Sequence, residues 1–132
     1  MSKSNYLENA VLNHLLGGGD YVRPATVYVA LYTSAPDDAG GGTEVAGGSY
    51  ARAAVTNNST NWPAAAGGVK SNGTEIVFAQ ATAPWGNVTH FGIFDALSAG
   101  NLLFWGALTT ARTVATGDTP SFAVGALTVT ED

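Results

Sequence analysis

Thr26-Val27-Tyr28-Val29-Ala30-Leu31-Tyr32-Thr33 (TVYVALYT) decides the fold. Val27, Val29 and Leu31 alternate with Tyr28, Ala30 and Tyr32, a period of two. β-branched and aromatic side chains fit a pleated surface, so the stretch is a strand. Both alternating sets are apolar, which predicts that both faces are largely covered.

Upstream the period is 3.6. Residues 5 to 16 read as a helix, with Leu7, Val11 and Leu15 on one stripe and Leu12 and Leu16 on its flank. Asn5 is the expected cap, with Glu8 at capping-box spacing. Gly17-Gly18-Gly19 ends the helix. About three turns do not hold alone in water, so the helix must dock on its own domain or on a neighbouring subunit.

Downstream, Ser34 to Ser49 (SAPDDAGGGTEVAGGS) reads as a long loop rich in Gly, Asp and Pro. Loops of that length are often binding elements. Further strands are expected at Tyr50 to Thr56, Gly73 to Ala79, Val88 to Asp95 and Asn101 to Thr109, with one or two more over Arg112 to Thr116 and Pro120 to Thr130. Turn signals separate them, and no second helix intervenes to build parallel βαβ units. The expected fold is mainly β, an antiparallel β-sandwich or jelly-roll-like domain with one short N-terminal helix. Residues 1–19 would form a helical arm and 20–132 a single β domain.

Composition narrows the function. Charged residues are 11% of the 132, against roughly 25% in ordinary globular domains. The formal net charge is −5, and the five basic residues (Lys3, Arg23, Arg52, Lys70, Arg112) are scattered. Nucleic-acid binding needs clustered Lys and Arg, so no nucleic-acid partner is expected. The absence of Cys excludes disulfides, thiolate catalysis and Cys-based zinc sites. No apolar run reaches the ~18 residues of a membrane span, so no membrane partner is expected, and no secretory signal is visible.

Chemistry-bearing patterns are sparse. His14 and His90 are the two histidines, and no GxSxG elbow accompanies them. Asp37, Asp38 and Glu44 share the long loop without the alternating ligand spacing of a calcium loop. Glu75 and Asp95 could pair as glycosidase carboxylates beside Trp62, Trp85 and Trp105, but each reads more simply as a surface or turn residue. Neither Gly17–Gly19 nor Gly40–Gly42 leads into the Lys-Ser/Thr of a phosphate loop. No catalytic residue, metal or cofactor is therefore expected. Trp62 and Trp85, beside Pro in loops, read either as contact anchors or as lids packed over a sheet.

Several stretches carry a family resemblance: VYVALYTSAPDDAGGGTEVAGGSYAR, WGNVTHFGIFDALSAGNLLFWGALT, FAVGALTVT and the opening SNYLENAVLNHLL. Together they resemble small virion structural proteins of tailed bacteriophages, over nearly the whole chain from Asn5 to Thr130. The resemblance implies a non-enzymatic particle component and carries over no catalytic residue.

Because the chain shows neither a long shaft nor a repeat, its size favours a capsid decoration (cement) protein on the phage head. Such a protein would bridge neighbouring subunits of the major capsid protein or other virion proteins. The alternative is a tail or tail-fibre component in contact with the host. A third reading, from another class, is a carbohydrate-binding module with Trp62 and Trp85 as stacking platforms. Scarcity of charge favours a homo-oligomer, with a trimer preferred. The expected contact residues are Leu7, Val11 and Leu15 on the helix, and Pro36, Asp37, Asp38, Glu44 and Tyr50 in or beside the long loop.

Overall fold

The structure is a computed structural model, and it describes residues 2–131. In chain order the elements are β1 (Ser2–Lys3), α1 (Asn5–Leu15), β2 (Thr26–Ser34), β3 (Thr43–Glu44), β4 (Ala53–Thr56), β5 (Val69–Ser71), β6 (Ile76–Val77), β7 (Gly86–Phe94), β8 (Leu102–Val114), β9 (Ser121–Phe122) and β10 (Thr128–Thr130). A six-stranded sheet runs β1-β8-β7-β2-β3, with β4 also paired to β2. β4 takes the Thr26–Val29 half of that edge, and β3 takes the half at Tyr32 and Ser34. β5 with β10 and β6 with β9 form two separate ribbons. Every pairing is antiparallel.

The molecule is mainly β with a single short helix, as the sequence indicates. Its layering differs from a two-sheet sandwich or jelly roll. One large sheet carries the order, and the layer facing it is assembled from ribbons, loops and the helix. The Gly73–Ala79 strand contracts to Ile76–Val77, because its partner β9 is only two residues long. The separate Asn101–Thr109 and Arg112–Thr116 strands merge into the 13-residue β8. Between the pairs Val88–Arg112 and His90–Ala107 the register slips, so five steps along β8 face two along β7. Such a bulge bends the strand and sharpens its twist. β5 leaves no signal in the sequence, because three residues are too few to show a period.

The alternation in β2 sorts its side chains as expected. Val27, Val29 and Leu31 join the larger core with Phe91 and Ile93 of β7, Leu103 of β8, Ile76, Phe78 and Leu127. Ala30 and Tyr32 face the other way and pack with Phe94 and Leu102, flanked by Tyr28 and Trp105. Burying one such aliphatic or aromatic side chain contributes about 2 kcal/mol.

Of the two docking places open to the helix, the structure shows its own domain. Its cap is Ser4, one residue before the expected Asn5. The Ser4 hydroxyl accepts from the Leu7 N–H at 3.2 Å and donates to the Leu102 carbonyl. Glu8 therefore falls one position beyond the capping-box site, which Leu7 occupies. At the other end Gly17 takes φ +102° and the Gly18 N–H bonds the Asn13 carbonyl at 3.0 Å, a left-handed stop that glycine permits without strain. Burial fades along the expected stripe. Leu7 is 5% exposed, Val11 is half-buried and Leu15 is 69% exposed. The helix is anchored at its start and overhangs the body at its end. Upstream of it, Ser2 and Lys3 pair with Trp105 and Phe104, so the leading segment is tied into the main sheet.

Candidate contact surfaces

The loop between β2 and β4 is built around Arg52. Its Nε and Nη2 donate to the two carboxylate oxygens of Glu44, each at 2.9 Å. Nη1 donates to the carbonyls of Ala96 and Ala99, also at 2.9 Å. The guanidinium carbon lies 3.6 Å from the centre of the Phe94 ring. This is the bidentate, stacked use of Arg that Lys cannot copy. The Tyr50 hydroxyl donates to Glu44 at 2.7 Å and accepts from the Leu31 N–H at 3.0 Å.

Burial and then the Glu44 hydrogen bond push the Tyr50 phenol far above its ordinary range. Burial and the Glu44 charge push Tyr32 up to about 12. For Arg52, burial alone would lower the pKa, but the hydrogen bonds and charge of Glu44 outweigh it and the net shift is upward. The network clamps the loop to the Ala96–Ala99 turn.

A second clamp fixes the other end of the loop. Asp38 accepts from the Ser2 hydroxyl at 2.7 Å and from the Trp105 indole N–H at 2.9 Å. Its own carbonyl accepts from the Asn5 N–H at 2.8 Å. These hydrogen bonds, Ser2 first, hold the Asp38 carboxyl below its ordinary pKa. Asp37 caps its own turn, accepting from the N–H groups of Ala39 and Gly41. Thus the three loop carboxylates each face different protein donors and do not converge on a common point. Among the described residues no group of three His, Asp or Glu is arranged to hold a metal.

Both loop tryptophans are packed inward, at 7% exposed for Trp62 and 5% for Trp85. Trp85 donates to the Gly48 carbonyl at 2.9 Å and meets Tyr50 edge-on at 5.3 Å between centres. The stacking-platform reading falls here, since a sugar cannot reach either ring. His14 bonds the Tyr21 N–H, His90 bonds Thr89 at 2.7 Å, and the two lie on different elements. Asp95 closes the turn to Asn101 through two hydrogen bonds, while Glu75 is exposed.

Among the expected contact residues, Leu7 and Pro36 are corrected: both are buried. Leu7 seats the helix in the core, and Pro36 turns inward ahead of the Asp37 turn. Asp38, Glu44 and Tyr50 are engaged in the two clamps. Leu15 and Asp37 are exposed. Val11 lines a feature the sequence did not disclose.

That feature is an apolar groove of about 540 Å³. Leu7, Val11 and Tyr21 form one wall, and Val69 and Val129 of the β5–β10 ribbon belong to its lining. Trp62, Ile93 and Leu103 also line it, as do Arg23, Lys70 and Glu131. The groove eluded the sequence because its walls come from six separated segments. Arg52 could have been suspected, as one of five cations placed two residues after Tyr50 at the mouth of an acidic loop.

No curated protein matches this sequence. The model of the family described as "Podophage GP4 fiber I protein gp80" matches it over residues 2–130. The head-decoration reading, preferred on size, therefore gives way to its tail-fibre alternative, because the family that matches is described as a fibre protein. A β-rich body with loops clamped by internal hydrogen bonds, matched almost from end to end, leaves one assignment: the chain belongs to the podophage GP4 fibre I protein gp80 family, a tail-fibre family of phage virion structural proteins.

Proposed function

We propose that this chain is a building module of a phage tail fibre that works by adhesion between subunits and carries out no turnover. One observation supports the reading best. Six of its few ionisable side chains are occupied in holding loops: Arg52 with Glu44, Asp38 with Ser2 and Trp105, Asp37 and Asp95 in their own turns, and Asp118 on the Ala115 N–H. A nucleophile or general base needs a free lone pair within reach of substrate, and these groups aim theirs at the protein.

Tightly hydrogen-bonded loops resist fraying, and repetition of modest contacts along a fibre yields avidity. A homo-oligomer, with three copies about a common axis as the first choice, fits a chain with too little charge to coat a solitary surface. Its partners would be other tail proteins. Immunogold labelling of intact particles tests the assignment. Labels confined to the tail are expected, and labels spread over the head shell would return the chain to capsid decoration.

A further inference from the structure

From the groove and the overhanging helix we infer that the end of α1 in one copy docks into the groove of a second copy of this chain. The inference rests on the reading of the chain as a self-assembling module and names the surfaces. On the donor side, Leu12 and Leu15 lie at helical spacing on one side of α1, Leu16 caps its end in extended conformation, and Val22 follows. All four are more than half exposed, up to 82% at Val22. The Asp20 carboxylate beside them is almost fully in solvent. An apolar knob of this kind, bare on a chain so short of charge, marks a contact surface.

On the acceptor side, the groove has matching chemistry. Its lining is mainly aliphatic and aromatic, and it holds Arg23 and Lys70, two of the five cations of an acidic protein. A third, Lys3, pairs with the lining residue Glu131. Such a lining suits an apolar segment that carries a carboxylate, which describes the knob with Asp20. The knob cannot fill the groove of its own chain, because the preceding turns of the same helix form the wall.

Complementation between two crippled variants of the full chain tests this. Leu15→Asp with Leu16→Asp disables the knob, and Val69→Asp disables the groove. All three positions are exposed, so circular dichroism should show the fold retained in each variant. Sedimentation velocity over a concentration series should show the wild-type chain associating and each variant weakened about tenfold or more in dissociation constant. An equimolar mixture of the two variants should regain a mixed species, since it still holds one intact knob and one intact groove. A monomeric wild-type chain, variants that associate like wild type, or a mixture that regains nothing would each overturn the inference. The tail location read by gold labelling is independent of all three results.

Discussion

Arg52 grips Glu44 through two parallel hydrogen bonds of 2.9 Å while its planar face lies against the Phe94 ring, with the arginine side chain only 8% exposed. The pair joins the β2–β4 loop to the turn after β7, two regions more than forty residues apart in the chain. Removing the cation leaves Glu44 without its partner and two turn carbonyls without donors. Arg52→Ala should cost about 3 kcal/mol, the scale for breaking a buried pair from one side. Arg52→Lys should recover only a minor part of that, for want of the fork. Denaturant midpoints at constant slope check both values.

Gly48 and Gly47 separate backbone strain from steric conflict. Both have positive φ, +58° and +76°. A methyl group on Gly47 meets nothing within 4 Å, whereas one on Gly48 would lie 2.7 Å from the Ala83 carbonyl oxygen and 2.9 Å from Trp85 Nε1. Gly47→Ala should cost about 1 kcal/mol. Gly48→Ala should cost about 2 kcal/mol more, because it also spoils the Trp85 bond to the Gly48 carbonyl. Thermal melting of the two variants side by side gives the difference.

The fading burial along α1 makes a third prediction. Leu7→Ala opens a cavity in the core and should cost about 3 kcal/mol. Leu15→Ala should change stability by less than about 0.5 kcal/mol, because its side chain leaves water in neither state. Equal effects at the two positions, measured in urea under conditions that keep the chain monomeric, would contradict the overhang.

Asp38 gives the fold an acid sensitivity whose direction follows from linkage. Its folded pKa lies below the ordinary 3.8. A lowered carboxylate pKa contributes stability above the unfolded value, and that contribution is lost as pH falls through 3.8 toward the folded value. Asp38→Asn should therefore melt below wild type at neutral pH, with the gap closing in the acid range. The fluorescence of Trp105, which donates to this carboxylate, should shift over the same interval in wild type and stay flat in the variant.

What the sequence disclosed depended on range. The strand at Thr26–Thr33 and the helix ended by Gly17 were legible because period and punctuation are local. Ser4 is not legible as the cap, because its second bond, to the Leu102 carbonyl, is invisible along the chain. The glycines, Asp and Pro of Ser34–Ser49 mark a long loop and nothing of its anchoring. In the structure β3 and the buried Val45 lie within it, and Arg52 and Trp105 reach it from outside. Head against tail was not legible at all, since both uses reward the same polar-neutral β surface.

The slipped register of β8 has a further consequence for a protein kept at high local density. With so few charges to repel a neighbour, the length of β8 that β1 leaves uncovered would, if straight, invite sheets to pair edge to edge into insoluble aggregate. Three surplus residues in β8 between the pairs at Val88 and His90 kink that border and spoil the even spacing of its amide groups. The distortion would keep solubility in the backbone, where the side chains provide little of it.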